Sequence, residues 1–205
     1  MPALLIGFDP PGEVCKEIYR LKSRVKEACG QQQQVDEPPH CTFVVNNFSD
    51  IKAVDDILKS VCLGFSPLDI SMKNITYFPP EKNKAWMVHA AIERNIRLQE
   101  LQKEVIDKTS AFRQGCLLCD YLQRNIPDYQ YSEEEKKDIQ QYGYPYVGAN
   151  WQAHISVAIL DEKAFKKIGD ELIGTAFQHK FKLKEITLFI YTDKWVPYKT
   201  YKLCK

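Results

Sequence analysis

The order of apolar segments repeats along the chain, and a repeated order admits few folds. Read by periodicity, the first part runs strand (Leu4 to Phe8), helix (Gly12 to Cys29), strand (His40 to Asn46), helix (Ile51 to Val61) and strand (Leu68 to Phe78). The second runs strand (Trp86 to Ile92), helix (Arg97 to Phe112), strand (His154 to Leu160), helix (Glu162 to Ile173) and strand (Phe181 to Tyr191), before a last strand, Val196 to Leu203. A duplication keeps one offset until something is inserted. Leu4 to Trp86 and Gly12 to Arg97 lie 82 and 85 residues apart, but His40 to His154 and Ile51 to Glu162 lie 114 and 111 apart. The shift of about thirty residues marks 113–150, which lacks a long amphipathic period, as an insertion. With 205 residues and 44% hydrophobic content, the expectation is a single domain over 1–205, with lobe one at about 1–80 and lobe two at about 81–205.

Helix signals agree with this frame. Pro10 and Pro11 precede the first helix, whose Cys15, Ile18, Leu21 and Val25 form an apolar stripe; Ser49 or Asp50 can cap the second, and Asp161 is a natural cap for the fourth. These stripes need no cofactor to explain them. The insertion mixes solvated charges (Glu133 to Asp138) with Tyr142, Tyr144 and Tyr146 among turn residues, which suits either a lid beside the His154 strand or a surface excursion packed back on the body.

Within the frame, His40-Cys41-Thr42 and His154-Ile155-Ser156 occupy matching strands. Alternate strand residues share a face, so each triplet sets an imidazole beside a hydroxyl on a rigid floor, with Cys41, Phe43, Ile155 and Val157 turned the other way. Two such pairs facing one another would supply two proton-transfer groups and two hydrogen-bond donors around a small anion such as a phosphodiester. His89 and His179 lack the hydroxyl partner, and both read as structural or surface histidines.

Formal charge is +1, which excludes a strongly basic nucleic-acid coat. Seven lysines nevertheless fall between Lys180 and Lys205, against Glu185 and Asp193, and interleave with Trp195, Tyr198 and Tyr201; a basic surface with aromatic platforms and a half-exposed hairpin fit equally. The seven cysteines read as reduced thiols of an intracellular protein, and Cys116-Leu117-Leu118-Cys119 lacks the second pair that a structural zinc requires. No apolar run is long enough to span a membrane, and the opening Met1 to Phe8 lacks the features of a secretory signal. The expected location is cytoplasmic, with passage to the nucleus left open.

The paired motifs, with Pro38 and Pro39 leading into the first, resemble those of the two-histidine (2H) phosphoesterase superfamily, whose 2′,5′ RNA ligase-like and cyclic phosphodiesterase-like members carry His, hydrophobic, Thr/Ser, hydrophobic twice. The resemblance implies an α+β fold, a bilobal pseudo-symmetric duplication in which two antiparallel sheets flank a central cleft with helices outside. It also implies a metal-independent phosphodiesterase, a hydrolase acting on a nucleotide or RNA phosphodiester (a 2′,3′-cyclic phosphate or a 2′,5′ linkage), with no cofactor. Carried over by motif, His40 and His154 become the acid/base pair, with His154 favoured as the base, and Thr42 and Ser156 the donors to the phosphoryl oxygens. Phe78, Trp86, Tyr144, Tyr146, Trp195 and Tyr198 flank the cleft strands as candidate substrate contacts. The partner is the nucleotide or RNA substrate of a monomer; the competing expectation is a non-catalytic nucleotide- or RNA-binding module. Ile159 stands where the bacterial branch often has arginine, and the insertion is longer than in compact members, so the resemblance reaches the acid/base site and not that branch's specificity.

Overall fold

The computed structural model describes residues 3–80, 85–125 and 129–205. Met1 and Pro2 of the expected first strand region, residues 81–84 at the expected start of lobe two, and residues 126–128 of the insertion lie outside the described residues. The fold is α+β, with two four-stranded antiparallel sheets and, among the described residues, six α-helices. Strands are β1 (Ala3–Phe8), β2 (Cys41–Asn47), β3 (Leu68–Phe78), β4 (Trp86–Ile92), β5 (His154–Leu160), β6 (Ala176–Leu183), β7 (Glu185–Tyr191) and β8 (Trp195–Lys202). Helices are α1 (Gly12–Cys29), α2 (Ile51–Leu63), α3 (Ile96–Thr109), α4 (Leu117–Asn125), α5 (Glu133–Tyr142) and α6 (Glu162–Ile173). Among the described residues no helix is long and apolar enough to cross a membrane.

Sheet one has the order β2-β1-β7-β8 and sheet two the order β5-β4-β3-β6. The two motif-bearing strands, β2 and β5, are therefore matching edge strands, and they touch across the gap between the sheets. Helices α1 and α6 pack together behind sheet two, and α2 and α3 behind sheet one. Asp50, Asn95 and Asp161 each accept a backbone N–H in the first turn of α2, α3 and α6, which fixes where those helices start.

Several expectations are corrected by the structure. The stretch Phe181 to Tyr191 is not one strand: it turns at Lys184, whose carbonyl accepts from the Leu203 N–H, so that β6 pairs with β3 in sheet two and β7 with β1 in sheet one. The sheets consequently do not divide the chain near residue 80. Strand β3 completes the second sheet and the β7–β8 hairpin completes the first, because β1 and β4 each need antiparallel partners on both edges.

The insertion is also more ordered than its sequence period suggests. Ser132 and Glu135 form a reciprocal capping box at α5, and Gly143, at a φ of +65°, stops it in the left-handed conformation that favours glycine. Both helices are too short for a periodic signal. Asn46, on β2, binds the carbonyls of Gly115 and Gly143 and accepts from the Leu117 N–H, which ties the insertion to sheet one. Cys116 and Cys119 are joined by a disulfide, a correction to the reading of all seven cysteines as free thiols.

Candidate active site

Gly7 explains how the first motif is held. Between Ile6 and Gly7 the β1–β2 register slips by one residue, and Gly7 lies opposite Thr42. A Cβ there would sit 2.0 Å from the Cys41 carbonyl oxygen, so only glycine lets the two backbones come this close.

Both motif histidines are half-buried and anchored alike. The His40 Nδ1–H donates to the Pro38 carbonyl at 2.7 Å and the His154 Nδ1–H to the Gln152 carbonyl at 2.8 Å. A carbonyl only accepts, so in each ring the bond assigns the proton to Nδ1 and leaves the Nε2 lone pair outward. Among the described residues no hydrogen bond engages either Nε2 or the hydroxyls of Thr42 and Ser156. Four polar groups of the two motifs are thus left for a ligand.

The motifs are also linked across the lobes. Trp151, buried three residues ahead of His154, donates its indole N–H to the Thr42 carbonyl at 3.0 Å and meets Phe43 edge to face. Gln102 of α3, fully buried, donates to the carbonyls of Phe43 and Tyr146 and accepts from the Gly148 N–H. These bonds fix the segment entering β5 against β2.

Burial pushes the His40 imidazole down to about 4, against the pull of the Pro38 bond, and the charges of Lys22 and His154 push it further the same way. Burial lowers His154 as well. Lys22, itself pushed down to about 8 by burial, binds the carbonyls of Gln34 and Glu37, pinning the loop that delivers His40. That cation stands on the His40 side alone.

The expected substrate contacts divide. Phe78 belongs to the site: its ring lies 4.1 Å from His89, stacked, and 5.0 Å from His154, edge to face. Trp195, half-buried at the β7–β8 turn, meets Tyr191 on the sheet face that carries Phe189, 5.6 Å from the His40 ring. Tyr198 is the extra residue of a β7–β8 bulge and is 59% exposed, with no ring contact to the motifs. The other three are corrected. Trp86 stacks on Phe165 of α6, on the helix side of sheet two, because strand alternation turns it opposite to Met87 and His89. Tyr144 is buried behind β2 among core residues, and Tyr146 packs against that core with its hydroxyl on Tyr129. Tyr144 and Tyr146 thus pack into the core instead of lining the cleft.

His89, read as structural, sits at the site. The β4–β5 register places it opposite Ser156, and its ring is 5.0 Å from that of His154. Only strand pairing reveals this, since no spacing in the sequence connects residues 89 and 156. Beside it a cavity of about 250 Å³ opens, lined by Thr76, His89, Ala91, Arg94, Trp151 and Gln152 among others. Among the described residues no cluster of three or more His, Cys, Asp or Glu side chains is arranged to hold a metal ion.

Residues 42–198 match the family model described as protein of unknown function (DUF1045). No curated protein matches the sequence at a significant level. Among solved structures, TT0787 of Thermus thermophilus is similar, with a TM-score of 0.62 and 13% identity over 98% of this chain and 97% of that one. Escherichia coli LigT in complex with NADP+ has a TM-score of 0.56 and 13% identity over 100% and 99%, and LigT in complex with 3′-AMP a TM-score of 0.53 and 11% identity over 100% and 98%. The likeness covers both sheets and shows a shared fold.

Proposed function

We propose, from the premise that the chain belongs to the family described as protein of unknown function (DUF1045) and has the fold of LigT, that it is a metal-independent phosphodiesterase acting on a nucleotide or RNA phosphodiester. The observation that carries this reading is the pair of equally anchored imidazoles on facing edge strands, each with Nε2 open and a free hydroxyl two residues on. In-line displacement at phosphorus needs a base on the attacking side and an acid on the leaving side, and histidine supplies both forms near neutrality.

In the proposed reaction one neutral Nε2 takes the proton of the nucleophile, water or a sugar hydroxyl, while the other imidazolium donates its Nε2 proton to the leaving oxygen. Thr42 and Ser156 donate to the non-bridging oxygens. After burial, which lowers both imidazoles, the Lys22 charge further disfavours the protonated form of His40, which favours His40 as the base and His154 as the acid, the reverse of the assignment favoured from sequence. A phosphodiester anion in the cleft raises both imidazoles, so protonating His154 is coupled to substrate binding. Phe78 and Trp195 are the aromatic contacts that remain.

The test is turnover of 2′,3′-cyclic mononucleotides and of 2′,5′- and 3′,5′-linked oligonucleotides by wild type and the His40→Ala, His154→Ala double variant. Turnover in the presence of chelator that vanishes in the double variant supports the reading. Ligand binding without turnover of any of these substrates favours the binding module instead.

A further inference from the structure

His89 has no part in the reaction above, yet no imidazole outside the motifs is as close to His154. It is 4% exposed, its Nδ1–H donates to the Met87 carbonyl at 3.0 Å, and Phe78 covers one face of its ring. The ring is therefore fixed on two sides. Its Nε2 has no partner among the described residues, and His89 is one of the residues that line the cavity of about 250 Å³. The Met87 bond places the proton on Nδ1, so Nε2 presents a lone pair. Burial and the neighbouring His154 keep the imidazole neutral, pushing it down to about 3.

An unpaired acceptor on a residue that lines a cavity is completed by a donor on the ligand, and a phosphoryl oxygen is not one. If His154 touches the scissile phosphate, a ligand atom that meets His89, whose ring is 5.0 Å away, lies only a few bonds from phosphorus. In a nucleotide that position holds a sugar carbon and its hydroxyl. We infer that His89 Nε2 accepts a hydrogen bond from the sugar hydroxyl vicinal to the scissile phosphate, with the sugar seated in the adjoining cavity. The inference rests on the active-site reading above and narrows its substrate class. A 2′,5′-linked ribose keeps a free 3′-hydroxyl for His89, whereas in a 2′,3′-cyclic phosphate both oxygens are locked in the ring. A deoxyribose with no vicinal hydroxyl leaves the acceptor unpaired, and a missing hydrogen bond of this kind is worth about 2- to 10-fold in affinity.

The experiment is calorimetric titration of wild type, His89→Phe and His89→Gln with 3′-AMP, 2′-deoxyadenosine 3′-monophosphate and inorganic phosphate. Wild type is expected to bind 3′-AMP about 2- to 10-fold more tightly than its deoxy analogue. His89→Phe keeps the stack on Phe78 without the acceptor and should bind the two alike with phosphate affinity unchanged; His89→Gln, whose side-chain oxygen accepts, should restore part of the difference. Equal binding of the two nucleotides by wild type that still binds phosphate overturns this inference alone, and so does a His89→Phe variant that weakens all three ligands equally. Wild type binding none of the three overturns the active-site reading and this inference together. The wild-type comparison needs no variant, so a misfolded His89→Phe leaves the test intact.

Discussion

The two motif-bearing edges are copies in backbone and unequal in surroundings. On β2 and β5 alike, a histidine hands its Nδ1 proton to the carbonyl two residues back and is followed two residues on by a hydroxyl. What differs is the company. His40 has the charge of Lys22 and the buried Phe189; His154 has Phe78 and a second neutral imidazole, His89, which lines a cavity. On the proposed reading the two edges share one backbone plan, and unlike side chains in the repeated elements around them, Lys22 on one side and His89 and Phe78 on the other, give the two imidazoles different work.

The strongest challenge to that comparison is to remove each imidazole separately. His40→Ala and His154→Ala should each lower kcat by about 10²- to 10⁴-fold, the range for one general acid or base. A variant with kcat near wild type would show that one edge is a structural copy only. Thr42→Val and Ser156→Ala should each lower kcat/KM by about 10- to 100-fold, the scale of one hydrogen bond to a charged group. A large loss from one and none from the other would sharpen the asymmetry.

pH separates the two edges more finely. Because burial lowers both imidazoles in the free protein, kcat/KM should peak on the acid side of 6.5, with the kcat profile displaced to higher pH by the bound anion. Lys22→Met removes the cation from the His40 side alone, so the acid limb of kcat/KM should move towards neutrality while the alkaline limb stays. Movement of the alkaline limb instead would reassign the base. The smallest effect is on stability. Between about 6.5 and about 4 the folded chain binds fewer protons at His40 than the unfolded chain does, so this contribution is complete above 6.5 and is lost as pH falls through that window. Urea midpoints measured from pH 7 to pH 4 should decline, and should decline less in a His40→Phe variant.

The repeat and both motifs were legible in the sequence because they are local: strand alternation alone aligns His40 with Thr42 and His154 with Ser156. Strand partners were not. That Phe181 to Tyr191 turns at Lys184 depends on β3 and β1 competing for it, and both of its halves alternate well enough to pass as one strand. Trp86 failed as a cleft residue for a related reason, since the face of β4 that meets helix α6 can be named only once the layers are known. His89 escaped notice because its significance comes from the residue across the ladder, Ser156, 67 positions later. Tyr144 and Tyr146 looked functional because the charged and turn-rich residues around them hid the fact that they pack into the core.

The exchange of strands between the sheets bears on how the chain reaches its native state. Strand β1 acquires its second neighbour only when β7, much later in the chain, docks against it, and the edge it offers meanwhile is apolar. Most of the ladder contacts are consequently long-range, which slows folding and keeps an adhesive border open until the hairpin docks. A cut between the repeats would leave β1 without β7 and β4 without β3, so each half depends on a strand that the other supplies.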